Sequence, residues 1–245
     1  LTSGKSIKVP VVTIDFGASL MLRNKNFALR LDLLKTLKGA VTLALDPSRA
    51  DATPDIEDGM IKLKATQIAI DYVKTLPGVA EIVQERYLAP PPDMGTLAQL
   101  PSGSLGRCFA EYIQETGFDP NYYRPLPITD DASYVLTRLR QTHDIWHLVT
   151  GLGSSINGEL GLQAFCLAQI RIPLPVLLIA GGLLRTLLNA PEEMGELLEQ
   201  IAIGYRMGAK AKPFLAQKWE NHWDKSLSEW RQELGITVVE QYIPT

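Results

Sequence analysis

The sequence predicts a mainly α protein, a single-domain helical bundle spanning residues 1–245. Three observations carry that prediction. Apolar residues recur at helical rather than strand spacing along most of the chain. Helix start and stop residues punctuate it, with capping pairs at Thr129-Asp130 and Ser154-Ser155, prolines at 173 and 191, and glycines at 39, 117, 151 and 235. The 245 residues are 46% hydrophobic, enough to pack several helices around one core.

Taken in order, residues 19–37 are apolar at Leu20, Phe27, Leu31 and Leu34, predicting a helix that stops before Gly39. Residues 61–76 form a second, ended by Pro77-Gly78, and residues 88–92 are a proline-rich extended joint. Residues 105–116 predict a short helix stopped by Gly117, followed by a long polar-aromatic connection over residues 118–127. Thr129-Asp130-Asp131 then supplies an N-cap and first-turn acids, where the helix dipole favours negative charge, for a helix reaching Gly151 or Gly153. The next helix starts at Ser154-Ser155 and runs to Arg171; others begin at Pro173 and Pro191, and a last covers residues 212–234. Residues 236–239 alternate weakly, a pattern too short to define a strand.

Residues 174–188 (LPVLLIAGGLLRTLL) are nearly all apolar. A membrane-spanning helix needs about 20 such residues. The stretch carries Arg185 and reads first as a buried core helix, and second as a surface helix touching a bilayer. Net charge is -3, which offers nucleic acid no attracting field. Cys108 and Cys166 form no paired motif and read as buried thiols in a reducing compartment. No glycine-rich phosphate loop is present, so no nucleotide is expected, and Gly181-Gly182 reads as a helix-packing contact.

The chemistry concentrates in His143-Asp144-Ile145-Trp146-His147, which holds two of the three histidines, and in Glu159 twelve positions on. On a helix, residue i+4 lies about 40° around from i, so His143 and His147 share a face, with Asp144 flanking them. Leu136 and Leu139 lie on the same stripe, so the imidazoles point toward the core. If the helices on either side of Gly151-Leu152-Gly153 fold as a hairpin, Glu159 faces the same gap. Two imidazoles and two carboxylates suit one divalent ion, Zn, Fe or Mn rather than Mg, and two histidines with one carboxylate match a non-haem iron site. Spacing alone also allows an accidental histidine pair in which Asp144 only hydrogen-bonds an imidazole. His222 reads as a surface or interface residue.

Those residues resemble the fourth-named protein of coenzyme Q (ubiquinone) biosynthesis, the Coq-four family. The resemblance extends to Leu100-Pro101-Ser102-Gly103-Ser104-Leu105-Gly106-Arg107, Arg124-Pro125, Tyr134-Val135, Arg138-Leu139-Arg140 and Gly158-Glu159, and covers residues 88–235. It implies a divergent bacterial homologue with a helical fold, a divalent metal held by His143, Asp144, His147 and Glu159, and an apolar cavity for a polyprenyl chain. It also implies peripheral membrane association, on the cytoplasmic side in a bacterium or the matrix side of the mitochondrial inner membrane in a eukaryote, and partners among other quinone-biosynthesis proteins. Two functions follow from it. One is oxidative decarboxylation of a prenylated hydroxybenzoate, with Arg138 or Arg140 neutralising an anionic headgroup. The alternative is a non-catalytic isoprenoid-lipid scaffold. For Arg138 the competing expectation is a solvated outer face. Gln163, Ala164 and Cys166 depart from the family's expected lysine, tryptophan and glutamate, and Arg171-Ile172-Pro173 from its glycine-leucine-proline. An exposed apolar helix would suit a homodimer, the commonest symmetric assembly.

Overall fold

A computed structural model describes residues 60–61, 63–117 and 127–239. The helix expected over residues 19–37 and the Arg124-Pro125 pair lie outside them. Among the described residues the protein is built of helices and turns, with no strand. The helices are α1 (Lys64–Val73), α2 (Val79–Glu85), α3 (Met94–Leu97), α4 (Leu105–Thr116), α5 (Asp131–Thr150), α6 (Ile156–Ile170), α7 (Pro173–Asn189), α8 (Met194–Lys210) and α9 (Leu227–Leu234). The mainly helical class is as the sequence predicts, and the proline-rich joint over residues 88–92 is extended.

Two short helices escape the sequence pattern. α2 buries Val79, Ile82 and Val83 on one face but has only seven residues, and α3 is a single turn capped by Asp93. At such lengths tertiary packing, not periodicity, decides helicity.

α6 and α8 pack backbone to backbone. A Cβ on Gly204 would lie 1.9 Å from the Gly161 carbonyl oxygen, and one on Gly208 would lie 2.6 Å from the Phe165 oxygen. α7 crosses α6 where Gly182 admits Leu160, which a Cβ would meet at 2.1 Å. The Gly181-Gly182 pair is therefore a packing contact at its second residue.

The buried reading of residues 174–188 needs correction. α7 buries Leu174, Pro175, Gly182 and Thr186, but Leu187 and Leu188 are 58% and 63% exposed, and Val176 and Leu184 are exposed as well. The helix is nearly all apolar, and among the described residues it has neighbours on one side only. Among the described residues no helix is long and apolar enough to cross a membrane.

The single helix expected over residues 212–234 is also not what forms. Pro213, held at φ -60 and ψ 114, ends the helical path. Two 3-10 turns follow, Phe214–Ala216 and Trp219–His222, and only α9 is α-helical, started by a Ser226–Glu229 capping box. The reason is tertiary: Phe214 and Trp219 are fully buried and join a series of ring contacts, edge-to-face from Phe165 and Trp146 through Phe214 to Trp219 and tilted from Trp219 to Trp230. His222 is exposed in the second of these turns, its ring 6.2 Å from Trp230. Residues 236–239 form no strand, and Cys108 is half-buried while Cys166 is buried.

Candidate metal centre

α5 begins in a capping box, where the Ser133 N–H donates to Asp130 at 2.8 Å and the Ser133 hydroxyl accepts from the Asp130 N–H. It ends at Gly151, whose left-handed φ of 73° lets its N–H donate to the His147 carbonyl at 2.9 Å. The chain then doubles back over five residues into α6, capped by Ser155. The turn is pressed against α6 so closely that a Cβ on Gly158 would sit 2.1 Å from the Gly153 oxygen. That closeness brings Glu159, in the first turn of α6, to the histidines of α5. The helix dipole there favours its negative charge.

His143, His147 and Glu159 converge, with one ligand atom from each within 4.8 Å of the others. Glu159 Oε2 lies 3.0 Å from His147 Nε2, and Oε1 lies 3.4 Å from His143 Nε2. The two rings stand nearly perpendicular, 4.7 Å between centroids. Asp144 reaches His143 from the other nitrogen, 3.4 Å from Nδ1, and is not among the three that converge.

His147 is 3% exposed. Its Nδ1 lies 2.7 Å from the Leu152 carbonyl oxygen, which can only accept, so Nδ1 carries the proton. Nε2 then faces a carboxylate oxygen. A neutral ring would set a lone pair against an anion at 3.0 Å, so the geometry requires a proton or a cation between them. Burial works against a charged His143, but Glu159 beside it, helped by Asp144, outweighs burial and pushes its pKa up to about 10. Burial likewise opposes the Glu159 carboxylate, and the two imidazoles overcome it, holding Glu159 well below its ordinary range.

The histidine face opens into a pocket of about 60 Å³ lined by Leu136, Leu139, Arg140, His143, Trp146, Gln163, Cys166, Ile170, Ile172, Leu174 and Pro175. That space suits a few waters and is far below the several hundred Å³ of a site enclosing a drug-sized ligand. Burial, then Glu159, pushes the Cys166 thiol up, so it stands neutral. Tyr112 stacks 6.3 Å from His147, its phenol also pushed up by burial and then by Asp144 and Glu159.

The two arginines part company. Arg140 lines the pocket beside His143. Arg138 is 1% exposed, not solvated on an outer face; both its terminal nitrogens bind Glu220, Nη2 at 2.8 Å, and Nη2 also donates to the Gln217 carbonyl at 2.8 Å. It ties α5 to the 3-10 turns. Sequence reasoning missed two groups. The Leu152 carbonyl leaves no trace in side-chain pattern. Gln163, whose Nε2 donates to Glu159 Oε1 at 2.8 Å, sits one turn after Glu159, a spacing that could have found it.

Residues 78–240 match the family model described as "Coenzyme Q (ubiquinone) biosynthesis protein Coq4". The chain is 29% identical to the mitochondrial ubiquinone biosynthesis protein COQ4 homolog of Bos taurus, over 96% of this chain and 89% of that one. It is 30% identical to the Homo sapiens homolog, over 74% of this chain and 69% of that one. The matched part spans only 50% of the Coprinopsis cinerea COQ4 protein and 45% of the Eremothecium gossypii one. A crystal structure of a Nostoc punctiforme protein assigned to ubiquinone biosynthesis superposes with a TM-score of 0.76 at 36% identity, covering 83% of this chain and 96% of that one. The chain therefore belongs to the Coq4 family of coenzyme Q (ubiquinone) biosynthesis proteins.

Proposed function

We propose that the chain is a metal-dependent protein of prenyl-quinone biosynthesis, holding one divalent ion between His143, His147 and Glu159. The observation that carries this is His147. Its Nδ1 proton is committed to the Leu152 carbonyl, as expected of a metal-ligating histidine whose other nitrogen is fixed by a backbone oxygen, and its Nε2 is aimed at a carboxylate with a positive charge called for between them. Two nitrogens and one or two carboxylate oxygens suit Zn, Fe or Mn better than Mg. Of the two roles open to Asp144, ligand or orienting partner of His143, its position at Nδ1 favours the second. When bound, the ion supplies Lewis acidity and, if iron, redox chemistry.

The chain's own residues suggest how a prenylated ring would be handled. Arg140, on the pocket wall with His143, suits a ring carboxylate. α7 begins at that wall with Leu174 and Pro175 and continues to its exposed leucines, offering an apolar path for the isoprenoid tail and a surface for peripheral contact with a bilayer. The proposed reaction is replacement of a ring carboxylate by hydroxyl: the carboxylate leaves as CO₂, water supplies the hydroxyl oxygen, and O₂ takes up the two electrons and two protons as H₂O₂. The second reading, a lipid-presenting scaffold, is favoured by the pocket walls: burial keeps Cys166 a neutral thiol, and no carboxylate among the described residues lines them.

Native mass spectrometry with metal analysis tests the proposal. One divalent ion per chain is expected in the purified protein, lost in His147→Ala. Wild-type protein that takes up no ion sinks the metal reading. Incubating Fe(II)-loaded protein with a prenylated hydroxybenzoate and O₂ separates catalyst from scaffold: CO₂ release supports the first, and retained isoprenoid with no CO₂ the second.

A further inference from the structure

We propose that Gln163 is a positioning residue that makes Glu159 present a single oxygen to the cation. This rests on the metal reading above and goes beyond the ligand set. Glu159 is attached by three rotatable bonds at the start of α6, and its carboxylate can offer either oxygen or both. In the structure the two oxygens have different partners. Oε2 points to His147 Nε2 at 3.0 Å, while Oε1 accepts from Gln163 Nε2 at 2.8 Å and lies further, 3.4 Å, from His143 Nε2.

The carboxamide orientation follows from chemistry. An ionised carboxylate only accepts, so the NH₂ end of Gln163 must face it. Gln163 is one helical turn beyond Glu159, so its side chain returns along the same face to the carboxylate. It is 7% exposed and lines the pocket between Arg140, His143 and Cys166, which limits its rotamers. A neutral donor occupies Oε1 while leaving the full negative charge on the site, which a cationic partner would partly cancel. Gln163 thus divides the carboxylate, one oxygen held by protein and one free for the ion.

Co(II) is the probe, because its visible d–d absorption weakens as coordination rises from four toward six. Gln163→Met keeps length and an unbranched shape but has no donor. In that variant Co(II) affinity is expected to fall roughly 10- to 100-fold, as for loss of other groups that orient a ligand. The d–d bands should also lose intensity, as the freed Oε1 joins the ion's shell. Gln169→Met is the control: Gln169 is a buried glutamine that donates to the Gly208 carbonyl at 2.7 Å. That variant should lower stability and leave the spectrum unchanged. Should Gln163→Met not fold, Gln163→Ala is read in the same way. Wild-type affinity and spectrum in a folded Gln163→Met protein overturn this inference and leave the metal reading standing. A wild-type protein that binds no Co(II) overturns both.

Discussion

Replacing Gly204 by alanine tests the packing that places the metal centre. In an exposed helix interior, glycine to alanine stabilises by up to about 1 kcal/mol, because alanine loses less backbone entropy. At Gly204 the sign should reverse. The added Cβ would lie 1.9 Å from the Gly161 oxygen, 2.7 Å from its carbonyl carbon and 3.1 Å from its Cα, all backbone atoms that no rotamer change can move. Restoring a carbon–oxygen separation of roughly 3.3 Å pushes α6 and α8 apart by about 1.4 Å. Overpacking of this kind costs about 1–3 kcal/mol, a loss of several degrees in Tm for a chain of this size. Gly195, on the same helix, is the internal control, since a Cβ there meets nothing within 4 Å. Gly195→Ala should be neutral or mildly stabilising. Urea unfolding followed by helical circular dichroism reads both. Because α6 carries Glu159, Gly204→Ala should also weaken metal binding before it unfolds the protein. Equal stabilisation by the two substitutions would refute the claim that α6 and α8 touch backbone to backbone.

Three further outcomes are expected. The His143 pKa is raised to about 10 by Glu159 and Asp144 against the opposing effect of burial, so near neutral pH a divalent ion must displace a proton. Apparent affinity should therefore climb at least about tenfold per pH unit between roughly pH 6.5 and 8.5, with at least one proton released per ion; calorimetry in buffers of different ionisation enthalpy counts the protons, and a flat profile contradicts the pairing. The sign for the metal-free protein is opposite. A raised histidine pKa contributes stability that is complete below about pH 6.5 and is lost as pH rises toward 10. Glu220→Ala should leave the Arg138 guanidinium buried without its carboxylate, at a cost of about 3–5 kcal/mol in chemical unfolding; a change under about 1 kcal/mol, the range of exposed pairs, would mean water reaches that pair.

The amino-acid order alone carries the helical class, because capping residues and 3.6-residue periodicity act within one or two turns. The boundaries of α4, α5 and α6 were legible for that reason, marked by Asp130, Ser155 and the glycines at 117 and 151, while the Ser104 cap of α4 emerged only in the structure. The histidine pair was legible for the same reason, since residues i and i+4 share a face wherever the helix is placed. What lies across space was not. Whether Glu159 reaches those imidazoles depends on how tightly the 151–155 turn presses on Gly158. The break over residues 212–226 depends on the aromatic core that Phe214 and Trp219 enter, and Arg138 turns inward because Glu220 waits there. Among the described residues α7 has neighbours on one side only, which its near-uniform apolarity could not reveal. Local spacing specifies which groups share a helix face; only packing decides which faces meet.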